Sequence, residues 1–108
     1  MRFYRYLYES ELMKGKKDKI TERLKNRDYP LAAYVIVLPE EGENQLEFFR
    51  TSLLAQQIFD AEEMFVVGIA AGYDDALYLV ERIEEDVYKA TEDADIRSYI
   101  LERDKQER

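Results

Sequence analysis

The stretch Met64-Phe65-Val66-Val67-Gly68-Ile69-Ala70-Ala71-Gly72-Tyr73-Asp74-Asp75-Ala76 constrains this chain more than any other. An unbroken apolar run with β-branched residues suits a strand covered on both faces. The glycine after it permits a sharp turn, and Asp74 and Asp75 match the positive end of a following helix. Strand, turn and helix in that order form the basic unit of an α/β domain, in which the loop after the strand is the usual place for a site.

The rest of the chain extends this unit. Residues 2–9 alternate strictly, with Arg2, Tyr4, Tyr6 and Tyr8 on one side and Phe3, Arg5, Leu7 and Glu9 on the other, which predicts a strand. Residues 16–27 predict a peripheral helix, because only Ile20 and Leu24 form its apolar stripe. Residues 32–38 form a second continuous apolar run, closed by Pro39 and a polar loop, and predict another buried strand. Residues 45–59 fit a helix through Leu46, Phe49, Leu53 and Gln57. The competing reading makes 39–44 a hairpin loop and 45–50 a strand. Residues 64–70 are the second buried strand and the third strand in order. Residues 74–91 predict the longest helix, striped by Ala76, Val80, Ile83, Val87 and Ala90 and broadened by Leu77 and Leu79. Alternation of Ile96, Ser98 and Ile100 favours a last strand at 95–101 over a helical turn, and 104–108 reads as a charged, frayed tail.

This order, β-α-β-α-β-α-(β), predicts one α/β domain over residues 1–103 with a three- to four-stranded, mostly parallel sheet. Right-handed crossovers would make the first three strands parallel.

Composition narrows the chemistry. The chain has no His and no Cys, which removes Ser-His-Asp and Cys-His catalysis, zinc sites of the usual kind and any disulfide framework. The net charge of -8 opposes phosphate backbones and anionic lipid, so it speaks against nucleic acid and membrane as partners. No apolar run approaches the roughly 20 residues of a membrane span, and the N-terminus lacks the pattern of a signal peptide. The cytoplasm is the expected compartment.

Three constellations follow from the predicted topology. If the strands are parallel, Glu9 and Glu11, then Glu40, Glu41 and Glu43, then Asp74 and Asp75 share one edge of the sheet. Glu9, Glu41, Asp74 and Asp75 are then candidate ligands for Mg²⁺ or Ca²⁺, as a phosphate-handling enzyme would need. The plainer reading is that these acids cap helices and solvate loops, with no cofactor. Tyr4, Tyr6 and Tyr8 are a candidate interaction surface, for another protein or, as in aromatic RNA-binding sheets, for bases. The basic stretch from Lys14 to Arg27 faces an acidic remainder, including Glu81, Glu84, Glu85 and Asp86. That asymmetry suits self-association. The glycines Gly68 and Gly72 match neither a dinucleotide fingerprint nor a P-loop.

The run 66–73, with Ala76-Leu77, Leu79-Val80, the segment 95–99 and Gln45-Leu46-Glu47, resembles short bacterial proteins known only as uncharacterised. The resemblance implies a small cytosolic bacterial protein and carries no activity, cofactor or catalytic residue. The residues themselves favour a non-enzymatic protein that works through protein–protein contact, as a homo-oligomer or an accessory subunit. The runner-up is a metal-dependent enzyme on a phosphorylated small molecule, and the third reading is RNA binding.

Overall fold

Strand β1 (Arg2–Glu9) enters at one edge of a four-stranded sheet, and the chain then passes through a 3-10 turn (Glu11–Met13) into helix α1 (Lys17–Lys25). Strands β2 (Ala33–Val37) and β3 (Glu47–Arg50) follow, then a second 3-10 turn (Thr51–Gln56), strand β4 (Phe65–Ala71) and helices α2 (Tyr73–Thr91) and α3 (Ile96–Asp104). The computed structural model describes residues 1–30, 32–40, 42–56 and 63–106.

The sheet order is β1-β4-β2-β3. Only β1 and β4 run parallel; β2 is antiparallel to both β4 and β3. The expected mostly parallel sheet is therefore corrected to a mixed one. The cause lies in α1. Its nine residues rise only about 13 Å, and the chain returns to the end of the sheet it left, where Ala33 pairs with Ala71. Arg27, at φ 59°, turns the chain beyond the helix.

Two further expectations are corrected. Residues 47–50 form a strand, so the hairpin reading of 39–50 holds and the helix over 45–59 does not; within that span, 57–59 lie outside the described residues. Leu46 and Phe48 face α2 while Phe49 faces α1, which is a period of two. Pairing with β2 outweighs the helical spacing of the same residues. Residues 96–104 form a helix where a strand at 95–101 is expected. Asp95 caps it, accepting from Ser98 N at 3.1 Å and from Ser98 Oγ at 2.7 Å. Ile96 and Ile100 are four apart, a spacing that satisfies strand and helix alike, and the cap decides between them.

The core lies on both faces of the sheet. Tyr4, Ile36, Val67, Leu79, Ile83 and Ile100 pack between the sheet and α2 and α3. Leu7, Ile20, Leu24, Val35, Val66 and Ile69 pack on the α1 side. Central β4 is buried along nearly its whole length, as its unbroken apolar run requires. It is irregular at its middle, where the pairing with β2 shifts between Ile36 and Val37. Val67 and the bare face of Gly68 both point toward α2 there, the signature of a bulge. A Cβ on Gly68 would stand 3.0 Å from Leu79 Cδ2, so the helix packs against backbone at this point. Gly72, at φ 97° and ψ 165°, makes the turn into α2 in a region reserved for glycine.

Helix α3 lies over β1. Asp104 Oδ1 accepts from the backbone N–H of Arg5 at 2.9 Å, and its Oδ2 is 3.0 Å from Arg2 Nη1. An outward-facing donor of an edge strand is thereby closed off. Asp104, expected in a frayed tail, belongs to this helix; residues 107–108 lie outside the described residues. No helix among the described residues is long and apolar enough to cross a membrane.

Candidate interaction surface

The mixed sheet divides the acidic loops. Parallel pairing brings the ends of β1 and β4 together, so Glu9, Asp74 and Asp75 share one edge. Antiparallel β2 carries Glu40 and Glu43 to the other, beside the start of β4, where Leu38 N donates to Phe65 O at 3.0 Å. Glu41 lies outside the described residues. The common acidic rim does not form, and among the described residues no three acids gather as a metal would require.

The carboxylates that do meet are occupied within the fold. Asp75 is buried, accepting from Ser10 Oγ and, at 2.8 Å, from the N–H of Ala71. Ser10 Oγ accepts in turn from Met13 N at 3.2 Å. This chain of bonds ties the turn after β1 to the turn after β4. Glu9 Oε2 accepts from Gly15 N at 2.6 Å, and Arg82 donates to the Glu9 carbonyl at 2.6 Å. Asp74 is exposed in the first turn of α2.

The tyrosines of β1 are also mostly internal. Tyr4 is buried, and Tyr8 is half-buried and stacked on it with centroids 6.3 Å apart. Burial raises both phenols above the ordinary tyrosine value; at Tyr8 the Asp86 carboxylate adds to the rise, and at Tyr4 Arg103 opposes it. Tyr6 is partly exposed and is covered by Arg103, whose guanidinium carbon is 4.5 Å from its ring centre. Arg103 also donates to Tyr99 Oη at 2.9 Å. The Tyr4 hydroxyl has no partner among the described residues. Strand β1 is thus a seam under α3, with Tyr6 the most exposed of the three.

The exposed aromatic surface lies on α2. Tyr73, Leu77 and Tyr88 are 58%, 38% and 61% exposed, and Val80 is half-buried between them. Their spacing of four, three and eight residues places them in one row beside the buried stripe. That row forms a wall. Its floor is the outer part of the sheet, where Tyr34, Leu46 and Phe48 are half-buried; among the described residues α3 packs on β1 and α2 chiefly on β4 and β2. Tyr73 touches the floor, its ring centre 5.5 Å from Phe48 and 6.5 Å from Tyr34. At the other end a cavity of about 420 Å³ opens between Leu46, Val80, Glu84, Tyr88 and Ile96. Gln45 anchors this end, with Nε2 donating to Ala94 O at 2.7 Å and Oε1 accepting from Ile96 N at 2.5 Å. The cavity is confined to the C-terminal half of α2, while at the N-terminal end Tyr73 packs on Phe48 and Tyr34.

Sequence reasoning noted Leu77 as a broadening of the core stripe and missed the row. The spacing of Tyr73, Leu77, Val80, Glu84 and Tyr88 was the available signal. That β3 lies at the sheet edge beside it had none. Comparison with family models, with curated proteins and with solved structures finds no match.

Proposed function

We propose that this protein works through protein–protein contact, with the groove between α2 and β3 as its docking surface, and that it is not an enzyme. One observation carries the reading: Tyr73, Leu77 and Tyr88 stand exposed in a row above a floor of Phe48, Tyr34 and Leu46. Isolated exposed apolar residues are ordinary, but Tyr73, Leu77 and Tyr88 aligned on one side of a helix, with Glu84 among them and half-buried apolar residues beside them, have the mixed aromatic and polar composition of a contact surface. Aromatic residues of this kind supply most of the energy where partners meet.

The metal-enzyme reading rested on a rim that is divided between two edges, and the RNA reading on tyrosines that pack beneath α3. Neither has an observation of its own in support. The docking reading is tested by the double variant Leu77→Ser, Tyr88→Ser, which alters side chains outside the core. In native extract the unaltered protein is expected to migrate in a larger assembly and the variant as a monomer. If both migrate as monomers, the reading falls.

A further inference from the structure

Resting on that reading, we infer that the occupant of this surface is a second copy of the chain, set antiparallel across a two-fold axis that passes α2 between Val80 and Glu81. Spacing, charge and shape each select that arrangement.

The exposed row is symmetrical along the helix. Tyr73 and Tyr88 stand equally far from the midpoint of Val80 and Glu81, and so do Leu77 and Glu84. In a two-fold contact every pairing is made twice, once on each side of the axis. An antiparallel α2 therefore sets Tyr73 against Tyr88 of the second copy and Leu77 against its Glu84, and then repeats both. The exposed aromatics of the two chains cover one another.

The two ends of the surface carry opposite charge. At the N-terminal end Arg50 is exposed, opposite Tyr34 in the β2–β3 pairing, with its guanidinium carbon 6.0 Å from the Tyr34 ring centre. Tyr34 in turn touches Tyr73. At the C-terminal end exposed Glu84 stands one turn before Tyr88 and lines the cavity. From Tyr73 to Glu84 the helix rises about 16 Å, and neither Arg50 nor Glu84 forms an ion pair among the described residues. An antiparallel copy brings the Arg50 end of each chain to the Glu84 end of the other. A parallel copy would set like charges together at both ends. Complementarity of this kind fixes orientation more than it adds affinity. Glu81, on the outward flank of the row and nearest the axis, faces its own copy there, a repulsion that keeps the association modest.

Shape follows the same polarity. The cavity of about 420 Å³ opens at the C-terminal end, between Leu46, Val80, Tyr88 and Ile96. The N-terminal end presents a ring instead, because Tyr73 is 58% exposed. The antiparallel copy delivers that ring to its neighbour's cavity, with its apolar body inside and its hydroxyl at the rim.

The test is sedimentation velocity of the purified intact chain at about 0.15 M salt, where the repulsion between two net charges of -8 is screened beyond about 8 Å. The chain is expected to dimerise as its concentration rises. Leu77→Ser with Tyr88→Ser should weaken the dimer by about tenfold or more, whereas Tyr78→Ser, on the opposite flank of α2, should not. Arg50→Glu and Glu84→Arg should each weaken it by about tenfold or more, because each puts like charges at both contacts. Mixed in equal amounts, these two variants should form a heterodimer of nearly unaltered affinity, since both contacts then pair opposite charges; that recovery also shows that each variant is folded. Dimerisation that ignores either charge reversal, or that mixing does not restore, overturns the antiparallel arrangement. Dimerisation that ignores the Leu77 and Tyr88 substitutions places the contact elsewhere and overturns the inference. A purified chain that stays monomeric, while the extract still shows an assembly lost in the Leu77 and Tyr88 variant, makes another protein the occupant; the inference then falls and the docking reading stands. Monomer in both experiments removes both.

Discussion

Asp75 shows how a residue suited to chemistry can be committed to structure. Its carboxylate holds two donors, Ser10 Oγ and Ala71 N, in a site nearly closed to water. Asp75→Ala leaves both donors unpaired and is expected to cost about 2–3 kcal/mol, read as a lowered urea midpoint. The same substitution at exposed Asp74 should leave that midpoint nearly unchanged. Gly68 makes a second prediction at this scale. Gly68→Ala places a methyl 3.0 Å from Leu79 Cδ2 and 3.5 Å from Ile36 Cδ1 in a closed core, and should destabilise by about 1–2 kcal/mol. Neither role is visible in the sequence. An Asp after a glycine turn reads as a helix-end acid, and only the parallel pairing of β1 with β4 brings Ser10 to it.

At the scale of elements, stability depends on seams between segments distant in sequence. Gln45 joins the β2–β3 hairpin to the start of α3, bonding Ala94 O and Ile96 N across some fifty residues. Gln45→Ala should increase hydrogen exchange at the Ile96 amide and loosen α3 before the sheet. The seam of β1 with α2 and α3 gives a pH dependence. Folded Tyr8 holds its proton more tightly than an unfolded tyrosine, first because it is buried and then because Asp86 is beside it. Below about pH 10 both states are protonated and the stability is complete. As pH rises past that point the unfolded chain releases its proton first, so stability falls. Tyr8→Phe should flatten the fall of the urea midpoint as pH rises above about 10. Elements with a self-sufficient signal were legible: β4 from its apolar run, α2 from its stripe, β1 from its alternation. Segments 45–50 and 95–101 were ambiguous because their apolar spacing fits both periods, and a partner strand or a capping side chain settled each.

At the scale of the molecule, charge acts on everything at once. The radius of gyration is 13.2 Å, and the chain carries a net charge of -8. Raising ionic strength from 0.01 M to 0.15 M shortens the screening length from about 30 Å to about 8 Å, from well beyond that radius to below it. Self-repulsion should then ease, and the melting temperature is expected to rise over this range. A midpoint that falls would mean that favourable charge pairs, such as Arg2 with Asp104, outweigh the repulsion. The sequence alone determined that the chain has buried strands, a long amphipathic helix, an acidic surface and no histidine or cysteine chemistry, because each of these follows from residues near one another or from composition. The direction of β2 was decided only by the tertiary structure, and with it the parting of the acidic loops; so was the covering of the tyrosines by helices packed on β1. Strand direction depends on which edge a chain re-enters after a helix too short to cross, and on pairings between residues far apart. No local pattern encodes either.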